Sequence, residues 1–391
     1  MSHHVGLRIP LEQGALSTVL PEWLLKAFIS NGYEAVFVFF VISGFLIASN
    51  SLARWGRLAA IDLRAFYARR ATRILPGLMA LVAVLSLLHL AGAQDYVISR
   101  AGQSLPRAIA AALGFHLNWY EGRTGYLPGN WDVLWSLSIE EAFYLGFPLV
   151  CVLLRRDAAL VSVLALLALS LPASRAALGE NPIWQEKAYL PGLSGIAVGV
   201  LGAVVARRLQ RPGLWVVSLL GVAGAVGLCA VLCFEGWLWH FLGDGSMLLL
   251  TLSTGCLVLA LHWRDAGAPV VPLAGLGPLR SLGRLSYEVY LTHMFVVWPV
   301  VRAFKALGGD LRWGFLWYVP AFALSWALGW LVAKYISGPS ERALRRHLLE
   351  ERPSLASICS TWPSSGTGTT RRALDAPTVG AGRERRAGAA G

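Results

Sequence analysis

The chain has 391 residues, of which 56% are apolar or aromatic and 14% charged, and its mean hydropathy is +0.57. A soluble domain is about 45–50% apolar and about 25% charged, so a disordered chain, a collagenous chain, a disulfide scaffold and an ordinary cytosolic enzyme are excluded in favour of an all-α polytopic membrane protein. The formal charge of +12, from 34 Lys+Arg against 22 Asp+Glu, suggests nucleic acid only if it is not explained by where the basic residues sit.

Residues 1–31 are mixed in polarity and do not span, and no cleavable signal peptide is recognisable there. Nine apolar stretches follow, at 33–48, 74–93, 135–154, 158–172, 189–206, 214–234, 247–263, 285–301 and 315–336. Each is long enough, or nearly so, for the roughly 20 residues a crossing takes. A further segment at 108–117 is short and reads as re-entrant or interfacial. After the first span come Arg54, Arg57, Arg64, Arg69, Arg70 and Arg73, opposed by Asp62 alone. Basic residues near span ends prefer the cytoplasm. If 108–117 does not cross, the later clusters, such as Arg155/Arg156 and Arg207/Arg208/Arg211, fall on the same side. The pattern therefore predicts nine crossings and a cytoplasmic C-terminus. It places the first residues outside, an arrangement also met if one more span is missing before Met1.

Beyond Glu351 the composition turns to Ser, Thr, Gly, Pro and Arg, which predicts a disordered cytoplasmic tail over 351–391 after a transmembrane domain over 1–350. Cys151, Cys229, Cys233, Cys256 and Cys359 show no metal or disulfide spacing and read as small apolar residues. Gly195 and Gly199, four apart, suit close helix packing.

Three groups of residues carry possible chemistry. The segment FYARRATRILP from Phe66 to Pro76 places Arg69, Arg70 and Arg73 at a helical spacing of three and four. Guanidinium groups bind phosphate bidentately, so the cluster reads either as an anchor to anionic lipid headgroups or as a site for a polyanionic cytosolic donor. The segment WDVLWSLSIEEAFY from Trp131 to Tyr144 puts Glu140 and Glu141 just inside an apolar run, with Ser138 and Trp135 nearby. Carboxylates there need a partner or a wet cavity. The histidines are the third group. His3 and His4 lie at the start, and His293 shares a span with polar groups in SYEVYLTH, where Glu288 follows Arg284 by four residues and reads as its ion-pair partner.

Together these segments resemble the acyltransferase 3 family of integral membrane acyltransferases. GYEAVFVFFVISGFLI from Gly32 to Ile47 is similar to its early glycine-led span. Phe66 to Pro76 resembles its arginine segment, Trp135 to Tyr144 its paired-glutamate stretch, and Ser286 to His293 its late tyrosine–histidine span. Tyr335 to Arg345 resembles its usual end. The family begins with a span ending in a histidine, and the start of this chain resembles the end of that helix.

The resemblance implies an inner-membrane O-acyltransferase with no permanently bound cofactor and no metal. Acyl-coenzyme A, usually acetyl, is the implied co-substrate, and a hydroxyl of a carbohydrate or glycolipid the implied acceptor. Arg69, Arg70 and Arg73 are then expected to hold the coenzyme A phosphates. His3 or His4 is expected to act as general base. Glu140 or Glu141 is expected to orient that imidazole or hold the acceptor. Trp135, Ser138, Tyr287 and His293 are expected in the pocket. The basic residues then set orientation and bind donor, without nucleic acid. Two other readings meet the same composition: a transporter or flippase of a polar or glycan substrate, and a non-catalytic relative that senses or scaffolds.

Overall fold

A computed structural model describes residues 1–265 and 275–350, the last of these by its backbone alone. The expected tail over 351–391, with Cys359, lies outside the described residues. Among the described residues there is no strand. The first helices are α1 (Ser2–Gly6), α2 (Glu22–Ile29), α3 (Gly32–Trp55), α4 (Leu63–Leu90), α5 (Leu105–Leu113), α6 (Leu117–Thr124), α7 (Gly129–Asp132), α8 (Trp135–Leu153), α9 (Asp157–Leu169) and α10 (Leu171–Ala176). They are followed by α11 (Pro182–Lys187), α12 (Tyr189–Arg208), α13 (Leu214–Cys233), α14 (Glu235–Leu242), α15 (Gly245–Asp265), α16 (Gly277–Arg284), α17 (Ser286–Thr292), α18 (Met294–Ala306), α19 (Tyr318–Val332) and α20 (Gly338–Arg345).

Seven helical segments among the described residues are long and apolar enough to cross a bilayer: Gly32–Trp55, Leu63–Leu90, Gly129–Leu153, Pro182–Arg208, Leu214–Cys233, Gly245–Asp265 and Leu311–Leu349. The chain is a polytopic helical membrane protein. Two expected spans take other forms. Residues 158–172 form the 13-residue α9 and then α10. Residues 285–301 are divided at His293 into α17 and α18. The segment expected to be re-entrant overlaps α5, whose nine residues extend about 13 Å and are too short to cross.

The interior is organised on α3 and α12. Glycines let their backbones meet: a Cβ on Gly199 would overlap the Val41 carbonyl, and one on Gly44 would overlap the Ile196 carbonyl. Small residues give membrane helices this approach because lipid supplies no hydrophobic drive between them. Phe37, Phe40, Val41, Ile196 and Val200 complete the buried seam. A second pair, α13 on α15, is brought together at Gly224, whose Cβ would strike the Ser253 carbonyl and the Leu257 backbone.

Helix α4 starts on an Asp62 cap, whose Oδ1 accepts the Ala65 N–H at 3.0 Å. It begins at the end of the bundle where α3 stops, since Trp55 packs against Phe66. With 24 residues, α3 is about 36 Å long. Its Gly32 end and its Trp55 end therefore serve different regions of the bundle.

Candidate active site

At the Gly32 end lies a cavity of about 1010 Å³, bordered by His3, His4, Glu34, Asp132, Trp135 and His293 among others. His3 Nδ1 donates to the Ile29 carbonyl at 2.7 Å. That bond fixes the tautomer, because a carbonyl can only accept, and leaves Nε2 as the proton-accepting nitrogen. Gly32 makes room for the ring: an added Cβ would lie 2.5 Å from His3 Cγ and Cδ2. His293 is held in the same way, with Nδ1 donating to the Tyr290 carbonyl at 2.7 Å. Its Nε2 is buried and has no hydrogen-bond partner among the described residues. His4 lies between the two, its ring centroid 5.5 Å from that of His3 and 5.2 Å from that of His293.

Tyr290 joins this group to α8. Its hydroxyl donates to the Val133 carbonyl at 2.7 Å, so the 2.6 Å contact with Ser136 must be a hydrogen bond donated by the serine. Trp135 and Ser136 border the cavity, one turn before Glu140 and Glu141. The two carboxyl groups are buried and do not border it. The Tyr144 hydroxyl donates to Glu140 Oε2 at 3.3 Å and shares a 2.7 Å hydrogen bond with Ser43. The Arg70 guanidinium carbon lies 4.7 Å from the centre of the Tyr144 ring. Glu140 Oε1 and Glu141 Oε1 are buried without hydrogen-bond partners among the described residues. The group that orients His3 is thus a backbone carbonyl, and the glutamates face the arginine segment through Tyr144.

Arg69, Arg70 and Arg73 lie near the start of α4, toward the Trp55 end. Arg69 Nε is buried and unpartnered among the described residues. Arg73 lies 3.4 Å from Glu288 and 3.5 Å from Glu341, with its guanidinium carbon 5.6 Å from the centre of the Tyr287 ring. The expected Arg284–Glu288 pair is corrected here. Helix α16 ends at Arg284, and Leu285, at φ −96° and ψ 9°, turns the chain before α17 begins. The two residues therefore do not share one continuous helix face, and the buried Glu288 meets Arg73 of α4 instead.

Tyr287 donates to the Ile74 carbonyl at 2.8 Å and lies against Gly77, so it packs α17 on α4 and does not border the cavity. Ser138 accepts the Leu117 N–H at 3.2 Å and anchors the start of α6. Of the expected pocket residues, Trp135 and His293 border the cavity.

A buried ion cluster was not legible in the sequence. Lys187, 2% exposed, donates to Glu121 Oε2 at 2.8 Å and to Asp132 Oδ1. The only sequence signal was a lysine immediately before an apolar run. Its partners come from α6 and α7, distant in the chain. Burial pushes the Glu121 carboxyl up and Asp132 adds to this, against Lys187 and the Leu127 N–H, so its charged form depends on those two partners. Nearby, the Tyr126 phenol donates to Glu186 Oε2 at 3.1 Å, and burial together with Glu186 pushes it up to about 12, which keeps it a neutral donor. On the cavity rim, Arg175 donates to Asp244 Oδ1 at 2.8 Å and to Tyr33.

The sequence profile of the Acyltransferase domain family, Acyl_transf_3, matches residues 1–334. The chain belongs to this family. It is 25% identical over 304 residues to the O-acetyltransferase OatA of Staphylococcus aureus strain NCTC 8325, covering 71% of this chain and 47% of that protein. It is 24% identical over 312 residues to the peptidoglycan O-acetyltransferase OatA of Listeria monocytogenes, covering 72% of this chain and 48% of that one. The chain spans about half the length of these curated relatives. No solved structure matches it.

Proposed function

We propose that this chain is an inner-membrane O-acyltransferase that moves an acetyl group from acetyl-coenzyme A to a hydroxyl of a carbohydrate. One observation carries the reading. A cationic cluster toward the Trp55 end of α3 and a histidine-bordered cavity at its Gly32 end lie apart, and a run of polar groups leads from one to the other: Glu140, Glu141, Tyr144 and Ser136, all buried, and the half-buried Tyr290. Buried polar groups are expensive in a membrane protein and normally mark a substrate route. Residues 1–350 are then the membrane unit, and residues 351–391 a cytoplasmic tail.

Arg69, Arg70 and Arg73 hold the phosphates of the donor at the cytoplasmic surface. Arg73 must exchange Glu341 or Glu288 for phosphate as it does so. The acceptor enters the cavity from the other side. His3 is the general base: its tautomer is fixed by Ile29, whereas His4 has no ring hydrogen bond among the described residues. The acceptor oxygen attacks the thioester carbonyl and its proton passes to His3 Nε2. As the tetrahedral intermediate collapses, the carbon–sulfur bond breaks, an ester remains on the sugar, and coenzyme A leaves as a thiolate that takes up a proton. The peptidoglycan activity named for the Listeria relative makes cell-wall glycan one acceptor class to assay.

The double substitution Arg70→Ala/Arg73→Ala tests the donor end. Acetyl transfer from radiolabelled acetyl-coenzyme A in membranes should be abolished while the protein accumulates near the normal level. Transfer at the normal rate would remove the donor-site assignment.

A further inference from the structure

The Glu121–Lys187–Asp132 cluster takes no part in the acyl-transfer step, yet Lys187 and Asp132 border the cavity. Both oxygens of Glu121 are engaged, Oε1 by the Leu127 N–H at 2.9 Å and Oε2 by Lys187 at 2.8 Å. Lys187 is held further by Tyr126, whose ring centre is 4.5 Å from Nζ, and its carbonyl accepts from Asn118 at 2.9 Å. Neither residue is free to turn toward a ligand. Asp132 differs. Lys187 takes Oδ1, while Oδ2 has no hydrogen-bond partner among the described residues, and the side chain is 21% exposed where it borders the cavity. The next residue, Val133, supplies the carbonyl that holds Tyr290, and the Tyr290 carbonyl holds His293. The free carboxylate oxygen and His293 are therefore registered by one short hydrogen-bonded path.

The charges around the cavity are unequal. Glu34, Asp132, Glu186 and Glu235 border it, against Arg175, Lys187 and the Met1 amine, whose charged form burial disfavours. Both cationic side chains are already paired, Arg175 with Asp244 and Lys187 within its cluster. Carboxylates left in excess accept hydrogen bonds from hydroxyls and repel anions. Tyr33, Trp135 and Trp239 add aromatic surface to the same lining. Hydroxyl-accepting carboxylates beside aromatic faces suit a sugar ring without acidic groups. They also oppose entry of coenzyme A phosphates from this end.

We infer that Asp132 is the acceptor-docking residue, held by Lys187 and Glu121 as positioning residues, and that the cavity selects an uncharged polyhydroxylated sugar over an acidic one. The inference rests on the acyltransferase reading and goes beyond it by assigning the acceptor side. The full-length protein in membranes is given radiolabelled acetyl-coenzyme A with one of three probes: the N-acetylglucosamine tetramer, the β-linked glucose tetramer, or a glucuronate-containing tetramer. The wild type should label a neutral probe in preference to the glucuronate probe. Asp132→Asn, which preserves shape, should raise KM for the neutral probe about ten- to a hundredfold, the range for a lost hydrogen bond to a charged group. KM for acetyl-coenzyme A should stay within about twofold, a split that a merely structural role would not give. Asp132→Glu should recover part of the loss. The Lys187→Gln/Glu121→Gln double variant should raise acceptor KM in the same direction.

An unchanged acceptor KM in Asp132→Asn would overturn the inference. So would equal labelling of neutral and acidic probes by the wild type, an equal rise in both KM values, or failure of every cluster variant to accumulate, which would make the cluster purely structural. If the wild type labels no probe and no endogenous glycan, the acyltransferase reading itself fails and this inference falls with it.

Discussion

His3 is held in a narrow position beside the cavity. Its ring is fixed on one side by the Ile29 carbonyl and on another by the missing side chain of Gly32. A methyl group at position 32 cannot be accommodated unless the imidazole moves, because the atoms it would strike are at the base of the ring and not at a flexible tip. Gly32→Ala should therefore reduce acetyl transfer sharply while the protein still accumulates, as measured by label incorporation per unit of protein in membranes. His3→Asn, whose amide can replace the Nδ1 donor but not the Nε2 base, should reduce it by about a hundredfold or more. His4→Asn should leave more activity than His3→Asn. The sequence placed both histidines at the start of the chain and left the choice open. The atom on which the proposal of His3 rests is a backbone carbonyl 26 residues away, which carries no side-chain signature. Lys187 was illegible for a related reason. A lone lysine before an apolar run reads as an interfacial anchor until Glu121 and Asp132 are seen to close on it from other helices.

At the scale of elements, apolar length and local spacing set most of what is observed. Gly195 and Gly199 suggested close helix packing, and Gly199 indeed lies against the Val41 carbonyl. Gly199→Ala should lower stability by about 1–3 kcal/mol, the range for overpacking a fitted interior, seen as a lower unfolding midpoint in detergent micelles. A midpoint equal to that of the wild type would show that α3 and α12 can separate without penalty. The arginine segment was also legible, since a helix must place residues three and four apart on one face. What spacing could not supply was the break between α16 and α17. It separates Arg284 from Glu288 and gives the latter to Arg73, and it depends on a single turn at Leu285 that periodicity does not register. The division at His293 was hidden similarly, because α17 and α18 are both apolar enough to read as one continuous span.

For the whole molecule, composition alone specified a helical membrane protein, and the positive charge that suggested nucleic acid has a local explanation in the arginines of α4 and of the loops. The site is a property of the assembled bundle. Helix α1 brings His3 and His4, the start of α3 brings Gly32, α7 brings Asp132, and α17 carries Tyr290 to the His293 junction. No stretch of sequence holds more than part of it. This arrangement sets the basic end of the bundle apart from the acid-lined cavity, and the proposal is that an acetyl group passes from a donor at the first to an acceptor in the second. Sealed membrane vesicles of defined orientation keep the two faces apart, with radiolabelled acetyl-coenzyme A supplied only at the cytoplasmic face and a neutral glycan probe trapped on the other. Label should appear in the trapped glycan with the wild type, and not with His3→Asn or Arg70→Ala/Arg73→Ala. Label that appears only when donor and glycan share one face of the membrane would contradict the proposal.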